Sequence, residues 1–210
     1  VPLIGNQDRP DLFELDIRKP EPLFSEVFEV SERIAADGSV LTAIDAEDLA
    51  QEFRAKGLTA DRFDSVAICL LNAYRNADHE CVVEGVLRGV GFNEISRSSE
   101  VSPLIRIVSR CDTTVLDAYL NPVLREYLNA ISSHLPDSDI QVMTSTGGLV
   151  DRSRFRGRDC ILSGPAGGIV GFSKVAVGEG HEKSIGFDMG GTSTDVARFD
   201  GEFEFENETT

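Results

Sequence analysis

Basic residues are scarce. The 210-residue chain sets 20 Lys and Arg against 36 Asp and Glu, a formal net charge of −16. Such a surface repels nucleic-acid phosphates and anionic membranes, so neither is an expected partner. It does not exclude a nucleotide, because backbone N–H groups can hold phosphate on an acidic protein. Solubility alone would also account for the charge. No apolar run reaches the ~18 residues that cross a bilayer. The opening Val1-Pro-Leu-Ile-Gly lacks the basic-then-apolar pattern of a signal peptide, and a cytoplasmic location is expected. Cysteine is sparse: Cys69, Cys81, Cys111 and Cys160 show no CxxC-like spacing. That argues against structural zinc and for reduced thiols, with Cys69 buried in its apolar run. His79, His134 and His181 are scattered and read as surface residues. There is no G-x-x-x-x-G-K-[ST] loop and no G-x-S-x-G elbow, which removes the P-loop and serine-hydrolase readings.

What is present is enough apolar residue, 41%, for a sizeable core. Four prolines before residue 23 predict an extended connector over residues 1–30. Val27–Ile34 and Val40-Leu41 read as strands around an Asp37-Gly38 turn. Asp45 is a candidate N-cap for a helix over Ala46–Ala55, which Lys56-Gly57 would end. Ser65–Leu71 is a continuous apolar run, as in a strand buried on both faces of a parallel or mixed sheet. A helix capped by Asn76 follows, with Gly91 after its last turn, and then a strand over Phe92–Arg97. Helix, strand, helix, strand is α/β grammar. Leu116, Leu120, Leu124, Leu128, Ile131 and Leu135 predict helix over 109–135, kinked or restarted at Asn121-Pro122. Ile140–Thr144 reads as a strand before a Gly147-Gly148 turn.

Two segments are rich in glycine. Cys160-Ile-Leu-Ser-Gly-Pro-Ala-Gly-Gly-Ile-Val-Gly171 runs through a Gly-Pro turn into a helix whose free N–H groups could meet an anion. It nearly matches the dinucleotide fingerprint, but Ala166 stands at the first glycine position. A small-residue helix packed on a neighbour, a phosphate contact and a dinucleotide site all remain open for it. The second segment, Lys183–Phe205, alternates as a β-meander whose first turn is loaded with Gly, Thr and Ser. Gly190, Gly191, Thr192, Ser193 and Thr194 can donate to phosphate oxygens. Asp188 and Asp195 flank them. Two carboxylates beside phosphate oppose binding unless a divalent cation intervenes, and magnesium binds in that way. The rival is an ordinary hairpin with a solvated tip.

Asp188-Met-Gly-Gly-Thr-Ser-Thr-Asp195, preceded by Leu162-Ser-Gly-Pro-Ala-Gly-Gly168, resembles the hydantoinase A/5-oxoprolinase family. The resemblance extends to Arg9-Pro-Asp-Leu-Phe, Arg18–Pro22, Leu71–Glu80, Ser99–Pro103 and Thr113–Pro122, nearly the whole chain. It implies an actin/Hsp70/sugar-kinase-like fold: a ribonuclease-H-like α/β domain, mixed sheet with flanking helices, plus the opening β-meander of a second such domain. Residues 1–163 would belong to the first domain, with its α/β part over 45–150. Residues 164–179 would form a connecting helix, and 180–210 would open the second domain. One phosphate loop is present and the family's other is absent, so the chain is expected to hold one wall of an ATP site, to bind ATP weakly or not at all and to be inactive by itself. Where the family commonly reads Arg-Glu-Tyr-Glu-Arg, this chain has Arg106-Ile-Val-Ser-Arg110, which puts its substrate in question.

By the same resemblance the activity would be ATP-dependent hydrolysis of a cyclic amide, a hydantoin or 5-oxoproline-type lactam. ATP and Mg2+ would be required. Asp188 would hold the metal side, and Asp195 would be a second metal-side group or a cap on the turn. Gly190, Gly191, Thr192, Ser193 and Thr194, with Gly164, Gly167 and Gly168, would hold the phosphates. A second subunit of hydantoinase B type or a fused domain would be the partner, in an oligomer. An ATP-dependent ketone carboxylase subunit, a non-catalytic nucleotide-switched module and a dinucleotide-binding domain are the alternatives.

Overall fold

Local sequence and long-range contacts decide different parts of this chain. A computed structural model describes residues 21–191 and 193–203, so the expectations for Arg9–Phe13, Arg18–Lys19, Thr192 and Phe205 lie outside the described residues. The chain divides into two compact units, Val1–Glu126 and Tyr127–Thr210.

The first unit opens with β1 (Arg33–Ile34) and β2 (Val40–Thr42), an antiparallel pair with a register shift. The Asp37 carboxylate accepts from Ser39 N and Oγ, and Gly38 takes φ +91°, closing the turn as the Asp-Gly pair predicts. The strand is shorter than expected because Phe28 and Val30 pack on the core instead of joining a ladder. Helix α1 (Ala46–Ala55) has the expected bounds. The Asp45 side chain accepts from Glu47 N and Asp48 N, and Leu49 and Phe53 face inward.

Next come β3 (Val66–Ile68), α2 (Asp78–Val90) and β4 (Ile95–Arg97), a βαβ unit with β3 and β4 parallel. Leu49, Phe53, Leu58, Ile68, Val83, Leu87, Phe92 and Ile95 form its core. Both strands are shorter than their apolar runs. After β3, Leu70 N is captured by the Glu80 carboxylate and Asn72 turns left-handed at φ 66°, so the chain leaves the ladder at Cys69. Before β4, Gly91 and Phe92 serve as the C-terminal cap of α2, with Phe92 N bonded to Leu87 O. Asn76 does accept from Asp78 N at 2.9 Å.

A short α3 (Ser98–Val101) precedes α4 (Ile107–His134), which is continuous through Pro122 and contains the division between the units. Asn121 does not cap a new helix. Its side chain is buried and donates to Asp117 Oδ2 at 2.9 Å and Ser96 Oγ at 3.2 Å. The expectation for His79 is also overturned. It is buried on α2 with Nδ1 2.7 Å from a Glu32 carboxylate oxygen, a partner 47 residues away that local pattern cannot supply.

In the second unit β5 (Gln141–Met143) and β6 (Leu149–Asp151) form a hairpin about Gly147-Gly148, followed by α5 (Gly157–Cys160) and α6 (Ser163–Gly178). Strands β7 (Lys183–Met189) and β8 (Thr194–Asp200) close the described chain as an antiparallel hairpin. Parallel and antiparallel pairing both occur, in four separate two-stranded ladders among the described residues. Phe203 lies in no strand and packs on Phe199 with ring centroids 5.1 Å apart.

Candidate functional site

Register defines the site. Across the β7–β8 hairpin Asp188 faces Asp195, Gly186 faces Ala197 and Ser184 faces Phe199. With a side-chain period of two, these six residues share one face. That face meets α6: an ideal Cβ on Gly186 would lie 2.3 Å from Phe172 Cδ1 and Cε1. Glycine at 186 therefore lets helix and strand approach. The requirement was visible as a lone glycine inside an alternating strand, but its partner was not.

α6 and β7 are joined by a short turn, with Phe172 over Gly186. The amino end of α6 carries Gly164, Gly167 and Gly168. Gly164 and Gly168 have open space where a Cβ would be, while a Cβ on Gly167 would sit 3.5 Å from Met143 Cγ, so Gly167 also serves packing against β5. The free N–H groups and dipole of a helix amino end favour anionic oxygen there.

Inside the turn, Gly190 N donates to Ser193 O at 3.0 Å, so that N–H closes the turn and is not directed at a ligand. Gly191 has nothing within 4 Å of an ideal Cβ. Ser193, Thr194, Asp188 and Asp195 are exposed. Like charges directly opposite on a ladder destabilise it. Among the described residues neither carboxylate has an ion pair or side-chain hydrogen bond. The donor set, two carboxylates next to hydroxyls and an open glycine, fits a hydrated magnesium ion holding phosphate oxygens. No group of three or more His, Cys, Asp or Glu that could hold a metal by themselves occurs among the described residues.

A second polar cluster, unforeseen from the sequence, lies at the carboxyl ends of β3 and β4. Glu80, fully buried, accepts from Leu70 N, Ser98 Oγ and Ser99 N at 2.9, 2.6 and 2.8 Å. Arg110, also fully buried, donates to Ser98 Oγ, Leu104 O and Leu70 O. Of the segment Arg106–Arg110, the last arginine is thus part of the interior.

The solved structures that this chain resembles include an ATP-dependent caprolactamase from Pseudomonas jessenii, with TM-score 0.67, 26% identity, and coverage of 88% of this chain and 29% of that one. A nucleotide-free acetone carboxylase gives TM-score 0.63 and 26% identity over 83% of this chain and 26% of that one. The fold is accordingly an α/β fragment of the actin-like type shared by those enzymes. Residues 2–91 match the hydantoinase/oxoprolinase N-terminal region and residues 110–210 match hydantoinase/oxoprolinase. The 5-oxoprolinase of Saccharomyces cerevisiae is 41% identical over 99% of this chain and 18% of its own length. This chain belongs to the hydantoinase/oxoprolinase family, and it spans less than a fifth of the length of the 5-oxoprolinase it matches. No helix among the described residues is long and apolar enough to cross a membrane.

Proposed function

We propose that this chain contributes one wall of the nucleotide site of an enzyme that hydrolyses a cyclic amide at the expense of ATP. The observation that carries the reading is the Asp188–Asp195 pair, set opposite one another at the Gly190-Gly191 turn and on the face that meets α6. The similarity to 5-oxoprolinase and to an ATP-dependent caprolactamase supplies the substrate class.

In this reading Asp188 orients magnesium or its waters, and Asp195 completes the carboxylate pair. Gly190 and Gly191 let phosphate oxygens reach the backbone, and the hydroxyls of Thr192, Ser193 and Thr194 donate to them as charge develops. Gly164, Gly167 and Gly168 put the amino end of α6 beside the same oxygens. The γ-phosphoryl group of ATP would pass to the amide oxygen as ADP leaves; water would add to the ring carbon, the ring C–N bond would break with the nitrogen taking up a proton, and a second water would hydrolyse the acyl phosphate to the open-chain carboxylate and phosphate. Residues 164–179 act as the connecting helix between a first domain, residues 1–163, and a second that begins at 180. The partner is a further subunit or fused domain of the same family, in a cytoplasmic oligomer.

The experiment uses the full-length protein that contains this chain. Phosphate release is followed with 5-oxoproline, a hydantoin or a lactam, and separately with a ketone plus bicarbonate. Asp188→Asn and Gly191→Val should each lower ATP turnover by about 10²- to 10³-fold. Wild-type-like turnover in both variants would remove the phosphate-loop assignment. Because the acetone carboxylase structure is also similar, the second reading is ketone carboxylation, and turnover only with ketone and bicarbonate would establish it. Nucleotide binding without turnover of any of these compounds would make the chain a nucleotide-switched module instead.

A further inference from the structure

A leucine side chain has no atom that can cap a helix. Yet Leu162 holds the N-cap position of α6, which has no side-chain cap bond of its own. Its N–H is held from another element instead. Leu162 N donates to Ser145 Oγ at 3.1 Å, and Ser145 lies in the turn of the β5–β6 hairpin. The same hydroxyl donates to Asp159 O at 2.7 Å, and Ser145 N also donates to Asp159 O at 2.7 Å. One serine thus joins α5 to the start of α6. Packing repeats the attachment further along the helix. A Cβ on Gly167 would sit 3.5 Å from Met143 Cγ, and one on Gly147 would sit 3.2 Å from Val170 Cγ2. Hairpin and helix therefore approach closely on both sides of the Ser145 turn.

We propose that Ser145 is a positioning residue for the nucleotide site: through Leu162 N it fixes where the amino end of α6 presents its N–H groups to phosphate. The inference rests on the reading above that this end contributes to that site. Ser163 and Gly164 are the first two residues of the helix, and their N–H groups have no intrahelical acceptor. Pro165 has no N–H, and Ala166 N is bonded to Leu162 O at 3.0 Å. What α6 offers an anion is thus two adjacent N–H groups, directly after the residue that Ser145 holds. Gly164 has open space where a Cβ would be, so an anionic oxygen can come up to them.

A hydroxyl suits this role because it donates and accepts at once. Its proton goes to Asp159 O, which leaves a lone pair for Leu162 N. A helix end clamped before the ligand arrives loses little freedom on binding, which is the gain from preorganisation. Alanine at 145 would leave Leu162 N without this acceptor. The bond from Ser145 N to Asp159 O is a backbone bond and survives the substitution, so the turn keeps one of its ties.

The full-length protein that contains this chain is titrated by calorimetry with magnesium and adenylyl imidodiphosphate, a non-hydrolysable ATP analogue. Ser145→Ala should weaken binding about tenfold. Ser145→Thr, which keeps the hydroxyl, should stay within about twofold of the unsubstituted protein. Thr146→Ala is the local control. Its hydroxyl meets Thr144 Oγ1 at 2.9 Å inside the same turn, and its loss should leave the affinity unchanged. A serine with a merely structural role would lower the melting temperature in Ser145→Ala without moving the dissociation constant. That result overturns the proposal, and so does equal weakening by Ser145→Ala and Ser145→Thr. In the unsubstituted protein, saturating analogue should slow amide hydrogen exchange at Ser163 and Gly164. No slowing there overturns the proposal even where a variant fails to fold. Asp188→Asn separates this inference from the reading it rests on. If that variant loses ATP turnover while Ser145→Ala binds the analogue normally, the positioning role falls and the phosphate loop stands. If Asp188→Asn turns over ATP normally, the phosphate loop falls, and the calorimetry and exchange still decide the role of Ser145.

Discussion

Gly186 and Glu80 set tight local demands. A Cβ at 186 would lie 2.3 Å from the Phe172 ring, well inside contact distance, so the ring or the helix must move. Gly186→Ala should cost about 1–3 kcal/mol, the range for overpacking a filled interior, read as a lower urea midpoint. An unchanged midpoint would mean that the Phe172 ring swings clear. Glu80 satisfies two backbone N–H groups and the Ser98 hydroxyl from a fully buried position. Glu80→Ala orphans these donors at about 1–3 kcal/mol each. A loss above roughly 3 kcal/mol is expected in the same denaturation experiment. His79, Glu80 and Arg110 were not legible as interior residues, because each is defined by partners in other elements.

Among the elements, those with local causes matched expectation best. α1 has an acidic cap, two acids in its first turn and a basic residue in its last. Asp45→Ala removes the acceptor for Glu47 N and Asp48 N, and should destabilise the chain by about 1 kcal/mol. Asp45→Asn, which keeps the acceptor, should restore most of it in thermal melts. α2 ended at Gly91, which takes φ 112° as a left-handed cap requires. Strand ends were poorly legible: β3 stops at Ile68 because Glu80 and Arg110 take the backbone of Leu70. Apolar run length records burial, whereas ladder length depends on which backbone groups are bound elsewhere. Pro122 did not break α4, and Asn121 was drawn into the Asp117–Ser96 cluster.

At the scale of the molecule, the β7–β8 hairpin has one face on α6 and one in water. Ile185, Phe187, Met189 and Val196 are 64–73% exposed. Sequence alternation predicts two faces but not which one α6 covers. Phe199 is buried because register puts it on the Gly186 side. A contiguous apolar face of this kind promotes association. The 210-residue chain should show concentration-dependent light scattering, and Phe187→Lys should reduce it while shifting stability by no more than about 0.5 kcal/mol. Equal scattering in both proteins would mean that this face does not drive association. The net charge of −16 opposes association without covering the patch.

The sequence by itself determined the α/β grammar, the bounds of α1, the Gly91 cap, the Asp188–Asp195 hairpin and the family, because each is written in neighbouring residues. Turn chemistry and capping act over a few positions, and a glycine pair between two aspartates stays readable wherever the hairpin lies. Tertiary structure alone decided that Asp188 and Asp195 share a face with Gly186, and that this face meets α6. It also decided that Glu80 and Arg110 are interior. Those outcomes depend on contacts between distant segments, and only the folded chain brings their partners within bonding distance.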